Sequence, residues 1–211
     1  MSKISYTTII ATGLVVLGFY LIDQLNQWFA IPNLGYFSLL FFGTIAYLLV
    51  FGSQGYRQLF QKPVAFWKNF FKYLILTVLT STVLSLAIVS ITHLHKGNAV
   101  AKSPLYFFFL IMPFALLGEE LFSIYFYELF KRTMTPLVAN LLVCVIFGLI
   151  HYWTYFNGSI LLTIIQVILL QGSARFWFNQ SYQNSQSILT SFAIHYCFDL
   201  INFLLPMIIH R

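Results

Sequence analysis

Seven apolar blocks, each about 20 residues long or slightly longer, limit what this chain can fold into. They cover roughly residues 6–29, 34–52, 70–92, 104–129, 136–155, 159–178 and 188–209. A helix of about 20 apolar residues can cross the hydrocarbon core of a bilayer, and it satisfies its own backbone hydrogen bonds there. The pattern therefore predicts an all-α, polytopic transmembrane helix bundle of about seven helices, or eight if one of the longer blocks holds two.

Composition supports a membrane protein and argues against a soluble domain. Of the 211 residues, 60% are hydrophobic and only 8% are charged, whereas soluble domains have about 25% charged residues. The net charge of +6 comes from Lys and Arg in loops and at helix ends, where topology and anionic lipid headgroups determine their placement. We therefore expect the lipid bilayer, and no nucleic acid, as a partner. No repeat or linker divides the chain, so residues 1–211 are predicted to form a single membrane domain.

The basic residues predict the orientation of the bundle. Only Lys96, Lys102 and Arg211 fall on one side of the predicted membrane. Eight fall on the other side, together with the N-terminus: Lys3, Arg57, Lys62, Lys68, Lys72, Lys131, Arg132 and Arg175. Cytoplasmic loops carry the excess of Lys and Arg. The distribution therefore predicts a cytoplasmic N-terminus and a C-terminus on the opposite side.

Carboxylates are rare in this chain, and three of its five lie deep inside apolar blocks. Glu119 and Glu120 are adjacent in one block and Asp199 lies in the last, whereas Asp23 and Glu128 lie near block ends. A carboxylate at the centre of a membrane helix costs roughly 2.5–3.5 kcal/mol on insertion scales. Acidic residues that are kept there despite this cost are candidates for function.

Two histidines lie in the same part of the chain as these acids. His151 is late in the fifth block, and His195 is four residues before Asp199, so this pair shares a helix face. Each residue taken singly could be a hydrogen-bonded packing residue. Together, two histidines and three carboxylates on three helices can converge on one site inside the bundle. Such a group can perform hydrolysis, bind a metal ion or relay protons.

Three short motifs carry a resemblance to a known family. They are EELFSI at 119–124, FGLIH at 147–151 and HYCFD at 195–199. In order and spacing they resemble the signature of the CPBP intramembrane proteases, named for CAAX prenyl proteases and bacteriocin processing and also called Abi proteins. That signature is Glu-Glu-x-x-x-Arg, then Phe-x-x-x-His, then His-x-x-x-Asn or Asp. The motif-bearing core covers about residues 104–209, and the earlier helices match only as generic membrane segments.

The resemblance implies a role for each candidate residue. Glu119 would be the general base, with His151 as its partner in activating water. His195 and Asp199 would stabilise the oxyanion, with Asp199 holding the histidine in one tautomer. Glu120 would support these residues without contacting the substrate. Many family members have Asn at the position of Asp199, and an Asn amide can donate a hydrogen bond to the oxyanion. Asp199 would have to be protonated to donate one itself. The alternative is a zinc site made by Glu119, His151 and His195, so cofactor use stays open between zinc and none.

One position departs from the family signature. Ile124 stands where the family has arginine, so Glu120 must either stay protonated or pair with a cation from elsewhere. Arg175, in the sixth block, is the candidate substitute. The missing arginine also leaves open a non-catalytic scaffold or partner-binding protein. A third reading is a small proton-coupled transporter, because intramembrane Glu, His and Asp also form proton relays.

The resemblance also implies a biological setting. A small, basic chain with short loops is similar to the bacterial branch of the family, which implies an integral protein of the bacterial cell membrane. Its expected partner is a membrane-associated peptide substrate, either prenylated or of the bacteriocin or signal type. The expected role is peptide processing or bacteriocin self-immunity. The oligomeric state is left open.

Overall fold

The fold is taken from a computed structural model of the chain. The structure describes residues 5–31, 33–92 and 104–209. These residues form helices joined by short turns, with no strand among them, so the all-α prediction is confirmed. The helices are α1 (Tyr6–Phe29), α2 (Ser38–Leu59), α3 (Phe66–Thr92), α4 (Leu105–Leu110), α5 (Met112–Phe130), α6 (Pro136–Ile150), α7 (Tyr152–Tyr155), α8 (Ile160–Val167), α9 (Ser173–Ser185) and α10 (Ile188–Ile209). A 3₁₀ turn, Leu34–Phe37, precedes α2, and a π-helical turn, Ile168–Gly172, joins α8 to α9.

Five stretches of the described chain are long and apolar enough to cross a membrane. They are Tyr6–Phe29, Leu34–Leu59, Phe66–Ile91, Ile160–Ser185 and Ile188–Leu205. The protein is therefore an integral membrane protein with several membrane-spanning helices. Seven spans and a cytoplasmic N-terminus stay predictions. Lys3, Lys96, Lys102 and Arg211, on which the orientation partly depends, lie outside the described residues.

The other two predicted blocks are interrupted helices. The block at 104–129 breaks at Ile111, just before Pro113 of α5, because proline lacks the N–H for the preceding helical turn and its ring clashes with that turn. The block at 136–155 breaks at His151, where φ is −86° and ψ is 2°. These broken segments are the ones that carry the paired glutamates and the first candidate histidine.

The π-helical turn makes α8 and α9 one continuous rod that reaches Ser185. Arg175 lies ten residues before that end, or about 15 Å at 1.5 Å per residue, and its side chain is fully buried. The charge distribution groups Arg175 with the loop and helix-end cations on the side of the N-terminus, whereas its side chain lies inside the bundle. The turn packs closely on α6, because a Cβ on Gly172 would lie 2.9 Å from the Cys144 carbonyl oxygen. Only glycine permits this approach.

The largest core cluster joins α1, α2, α5 and α6. Leu39, Leu121 and Ile124 are buried in it, each at most 1% exposed. α5 meets α2 at Gly118, where an added Cβ would be 2.8 Å from the Leu40 backbone nitrogen. This small-residue contact brings the backbones together as in other membrane bundles, and it fixes the helix that carries the two glutamates.

One end of the bundle is defined by Arg57, Lys62, Lys131 and Arg132, and we call it the basic end. There α2, α5 and α9 end, and α3 and α10 begin. Hydrogen bonds join these termini. Gln61 donates to the Gln186 carbonyl at 2.9 Å, and Ser187 donates to the Gln61 carbonyl at 2.7 Å.

Candidate active site

A fully buried ion pair forms the centre of the candidate site. Arg175 Nη1 on α9 lies 2.7 Å from Glu120 Oε1 on α5, and both side chains have no exposed surface. His195 Nδ1 on α10 lies 2.8 Å from the same carboxylate oxygen. A charge buried in an apolar bundle must be paired and hydrogen-bonded to be tolerated. The pair therefore joins three helices at one point.

Arg175 supplies the cation that the family signature would place at position 124. Ile124 itself is fully buried in the largest core cluster. The Arg175 guanidinium lies over the rings of Phe147, at 4.1 Å, and Phe178, at 5.1 Å, and such contacts stabilise a desolvated cation. The predicted pairing of Arg175 with Glu120 is confirmed. Ile124 therefore gives no support to a non-catalytic protein, since Glu120 has its arginine.

The hydrogen bonds of His195 differ from those expected. Arg175 Nη2 is also 3.3 Å from His195 Nδ1. Because a guanidinium only donates and a carboxylate only accepts, Nδ1 can form a hydrogen bond with only one of the two. The shorter, charge-assisted contact with Glu120 identifies Nδ1 as the donor. Glu120, not Asp199, therefore holds the tautomer of His195. The resemblance to the family implied this role for Asp199, whereas α5 brings Glu120 to the other ring nitrogen.

His195 Nε2 faces the two remaining carboxylates. It lies 3.9 Å from Glu119 Oε2 and 3.8 Å from Asp199 Oδ2, beyond the length of a direct hydrogen bond. Phe178 stacks on the ring, with centroids 4.6 Å apart, and keeps it in place. Glu119 is 25% exposed and Asp199 13% exposed, whereas Glu120 is fully buried. Glu119 is therefore the more accessible of the two adjacent glutamates.

His151 lies at the edge of this cluster, at the break between α6 and α7. Its Nδ1 is 2.8 Å from the Phe147 carbonyl oxygen, and because a carbonyl only accepts, Nδ1 carries the proton. In the neutral ring, Nε2 is left as an acceptor. The His151 and Phe147 rings are 4.7 Å apart, so Phe147 separates His151 from Arg175. Among the described contacts, His151 forms no hydrogen bond with Glu119.

The charges of the cluster do not balance. Glu119, Glu120 and Asp199 provide three carboxylates, and Arg175 provides one permanent positive charge. Charged groups withdrawn from water must be compensated or become neutral. The surplus of carboxylates over the one arginine therefore favours a proton shared within the cluster. Acid–base catalysis requires a proton that can move between groups in this way.

Within the described residues, no three His, Cys, Asp or Glu side chains are grouped so that they could hold a metal ion. A catalytic zinc ion needs about three protein ligands around one point. The alternative set of Glu119, His151 and His195 does not have this arrangement in the structure, and we derive no step through a metal ion.

Two aromatic residues were missed as parts of the site. Phe147 belongs to the FGLIH motif but was given no role, and Phe178 was not singled out. Both cover the Arg175 guanidinium, and Phe178 also stacks on His195. Phe178 lies three residues after Arg175, which places the two on one helix face. That spacing was the available signal.

The comparison with known families agrees with this geometry. Residues 100–201 match the family described as type II CAAX prenyl endopeptidase Rce1-like. The matched segment contains all three motifs, the five candidate residues and Arg175. No curated protein and no solved structure is similar enough to match. Residues 100–201, just under half of the chain, are thus similar to the Rce1-like family of CAAX prenyl endopeptidases, and this similarity supports a membrane protease of the CPBP family.

Proposed function

We propose that the protein is an intramembrane endopeptidase that hydrolyses a membrane-associated peptide with water activated by Glu119. Its family supports a CAAX-type intramembrane peptidase in general. One observation carries the glutamate-based mechanism: the two adjacent glutamates have opposite environments. Glu120 is fully buried and bound to Arg175 and His195, whereas Glu119 is partly exposed and has no hydrogen bond among the described contacts.

In this proposal Glu119 acts as general base. It takes a proton from water, and the resulting hydroxide attacks the carbonyl carbon of the scissile peptide bond. His151 orients the water through Nε2, because its Nδ1 is held by the Phe147 carbonyl. The protonated Glu119 then gives its proton to the leaving amine, so one water is consumed and the base is restored.

His195 and Asp199 form the oxyanion side. A developing oxyanion needs a hydrogen-bond donor, and that donor is either Nε2–H of a His195 imidazolium or a protonated Asp199. The excess of carboxylates in the cluster supports the retention of this proton. Glu120 and Arg175 act as positioning residues, because Glu120 fixes the His195 ring through Nδ1 while Arg175 neutralises Glu120.

We further propose a substrate that reaches the site from the membrane, either a prenylated protein C-terminus or a bacteriocin or signal-type peptide. The setting is a bacterial cell membrane, and the role is peptide processing or bacteriocin self-immunity. The printed description of the matching family supports the prenylated class. The low charge of the chain supports a membrane-associated substrate.

The proposal is tested with purified protein in proteoliposomes. Two fluorescence-quenched peptides of the same sequence, one farnesylated and one not, are added to wild type, Glu119→Gln and Asp23→Asn. Asp23 is the matched control because it is a carboxylate on α1, outside the cluster and the cavity wall. We expect cleavage by wild type and Asp23→Asn, with loss in Glu119→Gln. Equal cleavage by all three would contradict Glu119 as base. Ion flux with no cleavage of either peptide would favour a transporter.

A further inference from the structure

Three polar stripes lead from the buried ion pair to the basic end. On α5 the stripe is Glu120, Ser123 and Glu128, on α9 it is Arg175, Asn179 and Gln183, and on α10 it is His195, Thr190 and Ser187. Spacings of three to five residues keep each stripe within about 140° of the helix circumference, at 3.6 residues per turn. Each stripe spans eight residues, or about 12 Å. In a chain that is 60% hydrophobic and only 8% charged, three polar stripes of equal length call for a structural or functional explanation.

Several buried polar atoms on these stripes have no hydrogen-bond partner among the described residues. They are Glu120 Oε2, Ser123 Oγ, Arg175 Nε, Asn179 Oδ1, Gln183 Nε2 and Thr190 Oγ1. Outside α5, α9 and α10, Ser81 is the one described residue with such an atom. Buried polar groups are almost always paired with protein or with ordered water, and buried water typically makes about three hydrogen bonds to such groups. The unpaired atoms therefore point to water as the missing partner.

A polar cavity of about 570 Å³ lies where the stripes reach the basic end. Its lining includes Glu128, Tyr182 and Gln183 from the stripe-bearing helices, and Gln58 from α2. Five of the ten glutamines in the chain line it: Gln54, Gln58, Gln61, Gln183 and Gln186. Gln183 belongs both to the cavity wall and to the α9 stripe. The stripes therefore reach the wall of the cavity.

We propose that the stripes hold a file of water molecules that joins the cavity at the basic end to Glu120 and His195. Its role rests on the proposed hydrolase function, since a lipid-enclosed site must receive water and exchange protons. Its existence does not depend on that function. The path reaches the cluster from the Arg175 and Glu120 side, whereas the partly exposed Glu119 and Asp199 lie on the Nε2 side of His195. The file would thus meet the cluster on the Nδ1 side of His195, and the substrate would meet it on the Nε2 side.

The test measures whether cysteines on the stripes meet water. Ser123→Cys exchanges a hydroxyl for a thiol, and Thr190→Cys in addition removes one methyl group, so both changes are small enough for the protein to fold. Leu121→Cys is the control, because Leu121 is also fully buried on α5 but belongs to the apolar core. Membranes are treated with silver ions, which are of nearly water size and enter hydrated paths. Thiols still free are then alkylated after denaturation and measured by peptide mass spectrometry, so that native Cys144 and Cys197 are read separately.

We expect the two stripe cysteines to react at least tenfold faster than Leu121→Cys. Adding Gln183→Leu should slow the reaction of Ser123→Cys severalfold, whereas Gln180→Leu, on the same helix but outside the cavity wall, should not. Equal, slow reaction of all three cysteines would overturn the path. Fast reaction that is unaffected by Gln183→Leu would overturn the entrance at the cavity. Fast, Gln183-dependent reaction in a protein that cleaves no peptide would keep the path while removing the proposed function.

Discussion

Replacing Arg175 with methionine tests the buried ion pair. Methionine keeps much of the packing volume between Phe147 and Phe178 but removes the charge that Glu120 meets at 2.7 Å. Both partners are fully buried, and breaking such a pair from one side costs about 3–5 kcal/mol. At about 2–4 °C per kcal/mol for a chain of this size, the melting temperature should fall by roughly 6–20 °C.

The assay follows unfolding of the detergent-purified protein with a thiol-reactive dye, which reports exposure of buried Cys144. The double variant Arg175→Met/Glu120→Leu should recover part of the loss, because exchanging a whole buried pair for apolar side chains is often neutral, while His195 Nδ1 loses its acceptor. Arg132→Met is the matched control. Arg132 also lies over an aromatic ring, Phe51 at 4.7 Å, but it is exposed, so its loss should cost less than about 1 kcal/mol.

The reasoning is refuted by either of two results. A melting temperature of Arg175→Met within about 2 °C of wild type, less than the shift expected for 1 kcal/mol, would mean that Glu120 does not depend on Arg175. A double variant no more stable than the single one would mean that the loss comes from packing around the aromatic rings and not from the unpaired carboxylate.

Three further outcomes are expected. Gly118→Ala should destabilise the bundle by about 1–3 kcal/mol, because the added Cβ would lie 2.8 Å from the Leu40 nitrogen. Gly13→Ala is the control: no atom lies within 4 Å of its added Cβ, so it should not lower the melting temperature. Asp199→Asn should stay active to higher pH than wild type, because an amide donates to the oxyanion without a titratable proton; an unchanged pH profile would remove Asp199 from that role. Cleavage should persist after exhaustive chelation, and loss that zinc restores would assign a metal mechanism instead.

Most of the site was predictable from the sequence because membrane helices make rare polar residues conspicuous. The two glutamates, the two histidines and Asp199 stand out against an apolar chain, and the need of Glu120 for a cation identified Arg175. The four-residue spacing and the family motif connected His195 to Asp199. The actual partner of Nδ1, Glu120, comes from another helix, and packing between helices cannot be read from the spacing along one of them.

The helix interruptions show a similar limit. Pro113 was a visible signal for the break at Ile111, but nothing in the apolar run predicts the break at His151 or the π-helical turn before Arg175. The break leaves His151 at a helix end, with its Nδ1 on the Phe147 carbonyl. The turn carries the helix on to Ser185, so that Arg175 lies inside the bundle. Both positions depend on close backbone contacts, such as that of Gly172 with Cys144.

The central claim is that two adjacent glutamates have separate tasks, and paired measurements on Glu119→Gln and Glu120→Gln test it most directly. Cleavage rate and melting temperature are measured on the same preparations. The account predicts that Glu119→Gln lowers the rate by about 10²–10⁴-fold with an unchanged melting temperature, because Glu119 is partly exposed and outside the buried pair. Glu120→Gln should lower both, since it leaves Arg175 unpaired. Full activity in Glu119→Gln, or a Glu120→Gln protein as stable as wild type, would contradict the account.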